Sequence, residues 1–424
     1  MSIAFILLLV SILIVAPLAT YDGVVAHSVI AALAAAALAA VGISARAADV
    51  NLAAQVTRRL KLAAAVPAIW MAVQILPLPF WSHSIWINAN EALNQQSWGH
   101  ISVDIGKTFA ALAFYLANVS LIVVSLFVAR DRRRAELILS VLAAITALAA
   151  IGLLVTRLVA GPGGINEMLS AVSSLGLILS LTSGVRAIER YESRQSEAAS
   201  QNLRMALIIS GAGLLICVAG LAAGATLNVA LAAAFGAGAF GSIQVIRRLG
   251  LASWAIGIFL ATLVVAAAMI VLWRYDSLRM LSPFLQFATA TSPEAISVVQ
   301  RILSDTGWQG TGGATYAQLL PIYQELGGSV TKAPSTAAAF AIELGWPITL
   351  FTIATAIGLV VILFHGALVR GRDSFFPAAA AACAIILLCQ AFCDTSLLNS
   401  CVAVISDAVI GLGLAQSVSH REGP

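Results

Sequence analysis

"TFAALAFYLANVSLIVVSLFVARDRRR", residues 108–134, decides the fold class. Thr108 to Ala129 carry no charge, and as a helix they are long enough to cross a ~30 Å hydrocarbon core. A cluster of arginines closes the run, which is how a span that ends at a cytoplasmic surface is marked. Similar runs recur along the whole chain. It has 424 residues, 60% of them hydrophobic and 10% charged, and its mean hydropathy is +0.97. A soluble chain needs about 25% charged residues to cover its surface. The composition therefore implies an all-α polytopic membrane protein. A membrane β-barrel would alternate apolar and polar residues in segments of ~10, and this chain does not.

Twelve spans are expected, at 3–20, 23–44, 61–80, 108–129, 136–159, 167–187, 204–222, 225–245, 251–273, 346–369, 375–391 and 399–416. Residues 3–20 resemble a signal peptide in length. They lack a basic stretch before them and a small-residue cleavage site after them, so they read as a retained first span. Of the 23 basic residues, 17 fall in links after even-numbered spans or in the tail, which places those links and both termini in the cytoplasm. The exceptions are Lys107, Arg157, Arg274, Arg279, Arg301 and Lys332. Six of the eight tryptophans, among them Trp81, Trp86 and Trp308, then lie near the outer interface. The whole chain, 1–424, reads as one integral membrane domain with two long outer segments, 81–107 and 274–345. Long loops in compact proteins usually carry function.

Within the larger segment, "TSPEAISVVQRILSD" (291–305) reads as a helix opened by a Thr291–Glu294 capping box. Ile296, Val299 and Ile302 or Leu303 form its apolar face. Arg301 and Asp305, four apart, share one side, where they pair or jointly face a ligand. "GWQGTGGATY" (307–316) ends that helix, and a second is expected from about Ala314 to Leu326. The glycines do not form a P-loop, because no lysine follows them. Nor do they form a dinucleotide fingerprint, because Thr315 stands where the third glycine belongs. A tight turn remains, and its amides either face an anion or merely join two helices.

Arg279 and Arg301 sit deep in the outer loop against the topological preference for inner basic residues. A guanidinium pairs well with phosphate. Arg157 and Arg274, near helix ends, either share that role or snorkel. The five histidines and five cysteines show no metal-ligand spacing. Cys393 and Cys401 bracket the last outer turn, as free thiols or as a disulfide. Asp407 lies mid-span, either functional or a partner between helices. The basic residues follow topology, so nucleic acid is not an implied partner.

These features together resemble the bacterial O-antigen ligase and O-antigen or exopolysaccharide polymerase superfamily. The residues carrying the resemblance are "WGHISVDIGKT" (98–108), Arg301, "GWQGTGGATY", "LLPIY" (319–323) and "IELGWP" (342–347). The family implies a GT-C-like architecture in the bacterial inner membrane, with a large periplasmic loop between spans 9 and 10. It also implies an inverting, metal-independent glycosyltransferase without a cofactor, whose donor is an undecaprenyl-diphosphate-linked glycan. A flippase and a chain-length regulator of the same pathway are the implied protein partners.

Transferred residue by residue, the resemblance implies that Arg279, Arg301 and Arg157 bind the diphosphate. Trp308, Gly310, Gly312, Gly313, Tyr316 and Tyr323 would line the substrate site. Glu343, with Asp305 behind it, is the candidate to activate the acceptor. Two family features are missing. Pro334 stands nine residues before Glu343, where ligase-like members carry a histidine. A Ser-Arg-Gly motif is replaced by "GATLNVALAA" (224–233). This favours a polymerase over a ligase. A transporter or flippase remains the competing class, though no six-plus-six repeat of the kind transporters show is evident. A non-catalytic assembly partner derived from the same family is the third reading.

Overall fold

A computed structural model describes residues 1–18, 23–45, 47–94, 98–160, 166–192, 197–249, 293–324, 330–369 and 373–417. Within them the chain is helical, and the only β feature among the described residues is an isolated antiparallel bridge between Pro77 and His100. The helices are α1 (Ser2–Leu18), α2 (Val24–Ser44), α3 (Ala47–Ile75), α4 (Ser84–Leu93), α5 (Ile105–Val128), α6 (Arg132–Ala160), α7 (Glu167–Glu192) and α8 (Glu197–Gly224). They continue with α9 (Leu227–Leu249), α10 (Pro293–Asp305), α11 (Tyr316–Tyr323), α12 (Thr336–Glu343), α13 (Trp346–Val369), α14 (Phe375–Gln390) and α15 (Ser400–Ser417).

Eight of the described helices are long and apolar enough to cross a membrane, and three shorter apolar ones lie within α1, α3 and α14. Most expected span boundaries agree with these helices to within a few residues, but α3 begins at Ala47, well before the expected 61, and α8 at Glu197, before the expected 204. The span expected at 61–80 stops at Ile75, because Pro77 and Pro79 cannot donate to a continuing helix. The span expected at 251–273 lies outside the described residues.

The bundle is built around α14. Its sequence, "FFPAAAAACAIILLCQ", is apolar on every side, and all but two of its sixteen residues are buried. A helix without a polar face belongs at the centre of a bundle. It packs against α7, α9, α13 and α15. Apolar contact with lipid costs a membrane helix nothing, so close backbone approach through small residues replaces hydrophobic segregation as the packing force. At Gly411 of α15 an added Cβ would lie 2.6 Å from the Ile122 carbonyl of α5. Ser125 Oγ of α5 then donates to the Ala408 carbonyl at 2.8 Å. Asp407 is buried in α15, and its Oδ2 has no hydrogen-bond partner.

At one end of the bundle Glu136 gathers three guanidiniums. It meets Arg132 at 3.3 Å and Arg186 at 3.6 Å, and it also pairs with Arg190. Arg132 reaches on to Asp373 at 3.0 Å. This is the arginine-rich face. The opposite end carries α4, α10, α11 and α12, which we call the glycine-turn face. There, α10, α11 and α12 enclose a small core of their own. Ile296, Val299 and Ile302 pack on Leu319, Leu320 and Ile342, with Leu303 and Tyr323 at its edge. The apolar face expected for 291–305 is therefore the packed face of α10. The second helix is shorter than expected, running Tyr316–Tyr323.

Candidate functional site

Three segments far apart in the sequence are tied together on the glycine-turn face. In the first, each polar residue of "ISVD" (101–104) has a structural task. Asp104 caps α5 by accepting from the Lys107 amide at 3.0 Å. Ser102 Oγ and Thr108 Oγ1 hydrogen-bond at 2.7 Å, and Ile101 is fully buried. The second segment, the glycine turn, lies against the first. The Val103 amide donates to the Thr311 carbonyl at 2.8 Å, and Thr108 Oγ1 donates to the Gly313 carbonyl at 3.3 Å. The third is the end of α12. Amides of Thr311 and Gly312 donate to the carbonyls of Ile342 and Glu343 at 3.0 and 2.9 Å.

Gln74 of α3 locks the arrangement, as its Nε2 donates to the carbonyls of both Gln309 and Glu343 at 2.9 Å. Trp70 adds a bond from Nε1 to the Leu344 carbonyl at 2.9 Å. The glycines are required by this close approach. Gly310 and Gly345 have φ of 74° and 82°. A Cβ on either would collide with backbone of the other's segment: at Gly310 with the Glu343 carbonyl, at Gly345 with that of Trp308. Left-handed backbone without room for a side chain is a place only glycine fills.

Ala314 also adopts a left-handed conformation, at φ 57°. Such a residue costs about 1 kcal/mol relative to ordinary backbone. Its position turns the amides of Ala314 and Tyr316 toward Glu343, whose carboxylate accepts from both, the Tyr316 bond being 3.2 Å long. The anion faced by the turn's amides is thus the chain's own Glu343. Burial pushes this carboxyl up to about 7, more than the two amide bonds pull it down.

Glu343 lies in the wall of a cavity of about 840 Å3. Tyr316 and Ala314 share that wall, with Lys332 and Thr331 from the segment before α12. The other side is formed by Asn166 and Glu167 at the start of α7, and by Thr395, Ser396 and Asn399 between α14 and α15. The Tyr316 hydroxyl has no hydrogen-bond partner, and burial raises it to about 12. Thr395 Oγ1 donates to Glu167 Oε2 at 2.9 Å. Next to it, burial raises Asp394 to about 6, although Ser396 donates to it through both amide and hydroxyl. The turn is fixed to α12 by the Thr336 and Ala337 amides, which donate to the carbonyls of Asp394 and Ala391 at 2.8 Å. No disulfide joins Cys393 to Cys401.

The residues expected at the site therefore divide into groups. Glu343 and Tyr316 line the cavity. Gly310, Gly312 and Gly313 form the turn behind them. Trp308 packs instead in an aromatic cluster, its ring centroid 5.8 Å from Trp70 and 6.0 Å from Trp81. Arg301 and Asp305 lie on the exposed side of α10, away from the cavity lining. Asp305 meets Tyr323, whose hydroxyl is raised by burial and by that carboxylate. Arg157 is in the last turn of α6 and does not line the cavity. Arg279 lies outside the described residues.

Lys332, Glu167, Asn166 and Asn399 are among the cavity residues that were not expected at the site from sequence. Glu167 had one signal, a carboxylate at the first residue of an apolar span. No known protein family, curated protein or solved structure matches this chain.

Proposed function

We propose that the protein polymerises undecaprenyl-diphosphate-linked oligosaccharide repeat units at the periplasmic face of the bacterial inner membrane. In this reading the glycine-turn face is periplasmic, and the arginine-rich face and both termini are cytoplasmic. The observation that carries it is Glu343, a buried carboxyl raised to about 7 in the wall of a cavity with room for sugars. A general base works best with a pKa near the operating pH. The Glu343 carboxylate takes the proton of an acceptor sugar hydroxyl, and the oxygen attacks the anomeric carbon of the donor. The bond from that carbon to the diphosphate breaks, and the diphosphate leaves on its lipid.

Lys332, exposed and lining the cavity, supplies a cation for the departing charge. Arg301, on the exposed side of α10, and Arg279 are the further candidates to bind the diphosphate. Pro334, where ligase-like members of the resembled family carry histidine, is buried just before the α12 cap and offers no base. In this reading Glu343 is the group that activates the acceptor. The test is complementation of a strain lacking the native gene, with the size of its surface polysaccharide as readout. Wild type restores long chains, whereas Glu343→Gln and Lys332→Ala leave single repeat units. Long chains from both variants, made at wild-type protein level, contradict the proposal.

A further inference from the structure

Gln74, fully buried near the end of α3, does not line the Glu343 cavity, yet it is bonded to the residue that does. Its side-chain nitrogen donates twice, to the carbonyls of Gln309 and Glu343. Because both partners are acceptors, only the nitrogen of the amide can face them. One turn earlier on the same helix, the Trp70 indole donates to the next carbonyl, that of Leu344. The end of α3 therefore grips the Glu343 backbone at two successive peptides. From that backbone the Glu343 side chain reaches the amides of Ala314 and Tyr316, so the grip on one side and the glycine turn on the other place its carboxyl.

Among the described residues the buried Oε1 of Gln74 has no partner. An orphaned acceptor costs about what two neutral hydrogen bonds contribute, so the side chain adds little net stability. What it supplies is geometry. The Glu343 carbonyl also accepts the Gly312 amide, so loss of Gln74 loosens this segment without freeing it.

We propose that Gln74 is a positioning residue of the site: acting through the backbone of Gln309 and Glu343, it fixes where the Glu343 carboxyl stands in the cavity wall. This role rests on the reading of Glu343 as the acceptor's base. The titratable groups that share the cavity are Tyr316, Lys332 and Glu167, with Asp394 beside it in the turn after α14. Glu294, Arg301 and Asp305 on α10 are outside the lining, and His365 lies far along α13. On α3 itself no charged residue follows Lys61. A change at Gln74 leaves all of these groups in place.

The test uses the full-length protein, in liposomes supplied with undecaprenyl-diphosphate-linked repeat units and, for thermal unfolding across pH, in detergent. In Gln74→Met, kcat falls at least ~10-fold while KM stays within about twofold, because a misplaced base weakens the chemical step and not binding. The midpoint of kcat/KM moves below 7 by about one pH unit, a tenfold change in proton affinity, as the loosened carboxyl gains water. In unfolding, the fall in Tm ends at a lower pH than in the wild type, and the Tm at pH 7.5 stays within a few degrees of it. Ser125→Ala also removes a buried bond to a carbonyl, but between α5 and α15, and it leaves both profiles where they are. Wild-type profiles in Gln74→Met overturn the role, as does an equal shift in Ser125→Ala. If Gln74→Met does not fold, Trp70→Phe carries the test: it removes the bond to Leu344, and unchanged profiles there overturn the role. Absence of elongation by the wild-type chain overturns the polymerase reading instead, and the Tm profile then decides the role of Gln74 by itself.

Discussion

Glu343 accepts the backbone amide of Tyr316 at 3.2 Å, so the last residue of α12 is joined to the first residue of α11. The bond makes the glycine turn a socket for a carboxyl group of the same chain. It also holds that carboxyl in the wall of the cavity, where burial raises it to about 7.

Stability should therefore depend on pH through Glu343. Its folded pKa is raised, so the native state binds the proton more tightly than the unfolded chain does. The stabilisation is complete below about 4.5 and is lost as pH rises through about 7. Asp394, raised to about 6, acts in the same direction. Thermal unfolding in detergent should give a Tm that falls between pH 4.5 and 7.5. Glu343→Gln should flatten most of that fall.

Ala314 is held at φ 57° without a glycine's freedom. Ala314→Gly should relieve about 1 kcal/mol of backbone strain, partly offset by the greater entropy of the unfolded chain. The Tm should stay within a few degrees of wild type. Ala314→Val, β-branched in a left-handed position, should lower it clearly.

Gly345→Ala places a Cβ against the Trp308 carbonyl, at a φ of 82°. The expected loss is at least about 2 kcal/mol, from a strained backbone conformation plus a backbone collision that no rotamer relieves. Loss of the Trp70–Trp308 contact, read as a shift in intrinsic fluorescence, should accompany the fall in Tm.

Tyr316→Phe removes a hydroxyl that has no hydrogen-bond partner. A buried polar group without a partner is a cost, so the variant should be as stable as wild type or more stable by up to about 1 kcal/mol. If the hydroxyl awaits a sugar, the same variant should raise KM for the lipid-linked donor and leave folding intact. Unchanged KM would remove Tyr316 from the substrate site.

The membrane class and most helices were legible in the sequence because a span must satisfy its backbone internally and remain apolar over its whole length. The three motifs of the glycine-turn face were also legible as separate pieces, and α10 was readable from its periodicity. Their junction was not. The bonds from Gln74 to the carbonyls of Gln309 and Glu343 join residues more than 230 positions apart, and nothing local to Gln74 announces them. The far wall of the cavity was hidden for the same reason. Glu167 opens α7 and Asn399 stands just before α15, and only packing of those helices brings them opposite Lys332. Arg301 illustrates the converse. It stands in a loop whose basic residues run against the topological preference, yet α10 uses its buried face for packing and turns Arg301 outward, away from the cavity lining.

The most direct test of Glu343 as the acceptor's base is chain elongation by the purified protein in liposomes supplied with undecaprenyl-diphosphate-linked repeat units, measured across pH. The account predicts that kcat/KM rises with pH through about 7 and then levels, as the buried carboxyl loses its proton. It also predicts that Glu343→Gln forms no polymer although it folds and binds donor. Elongation by Glu343→Gln at the wild-type rate, with the same pH profile, would contradict it.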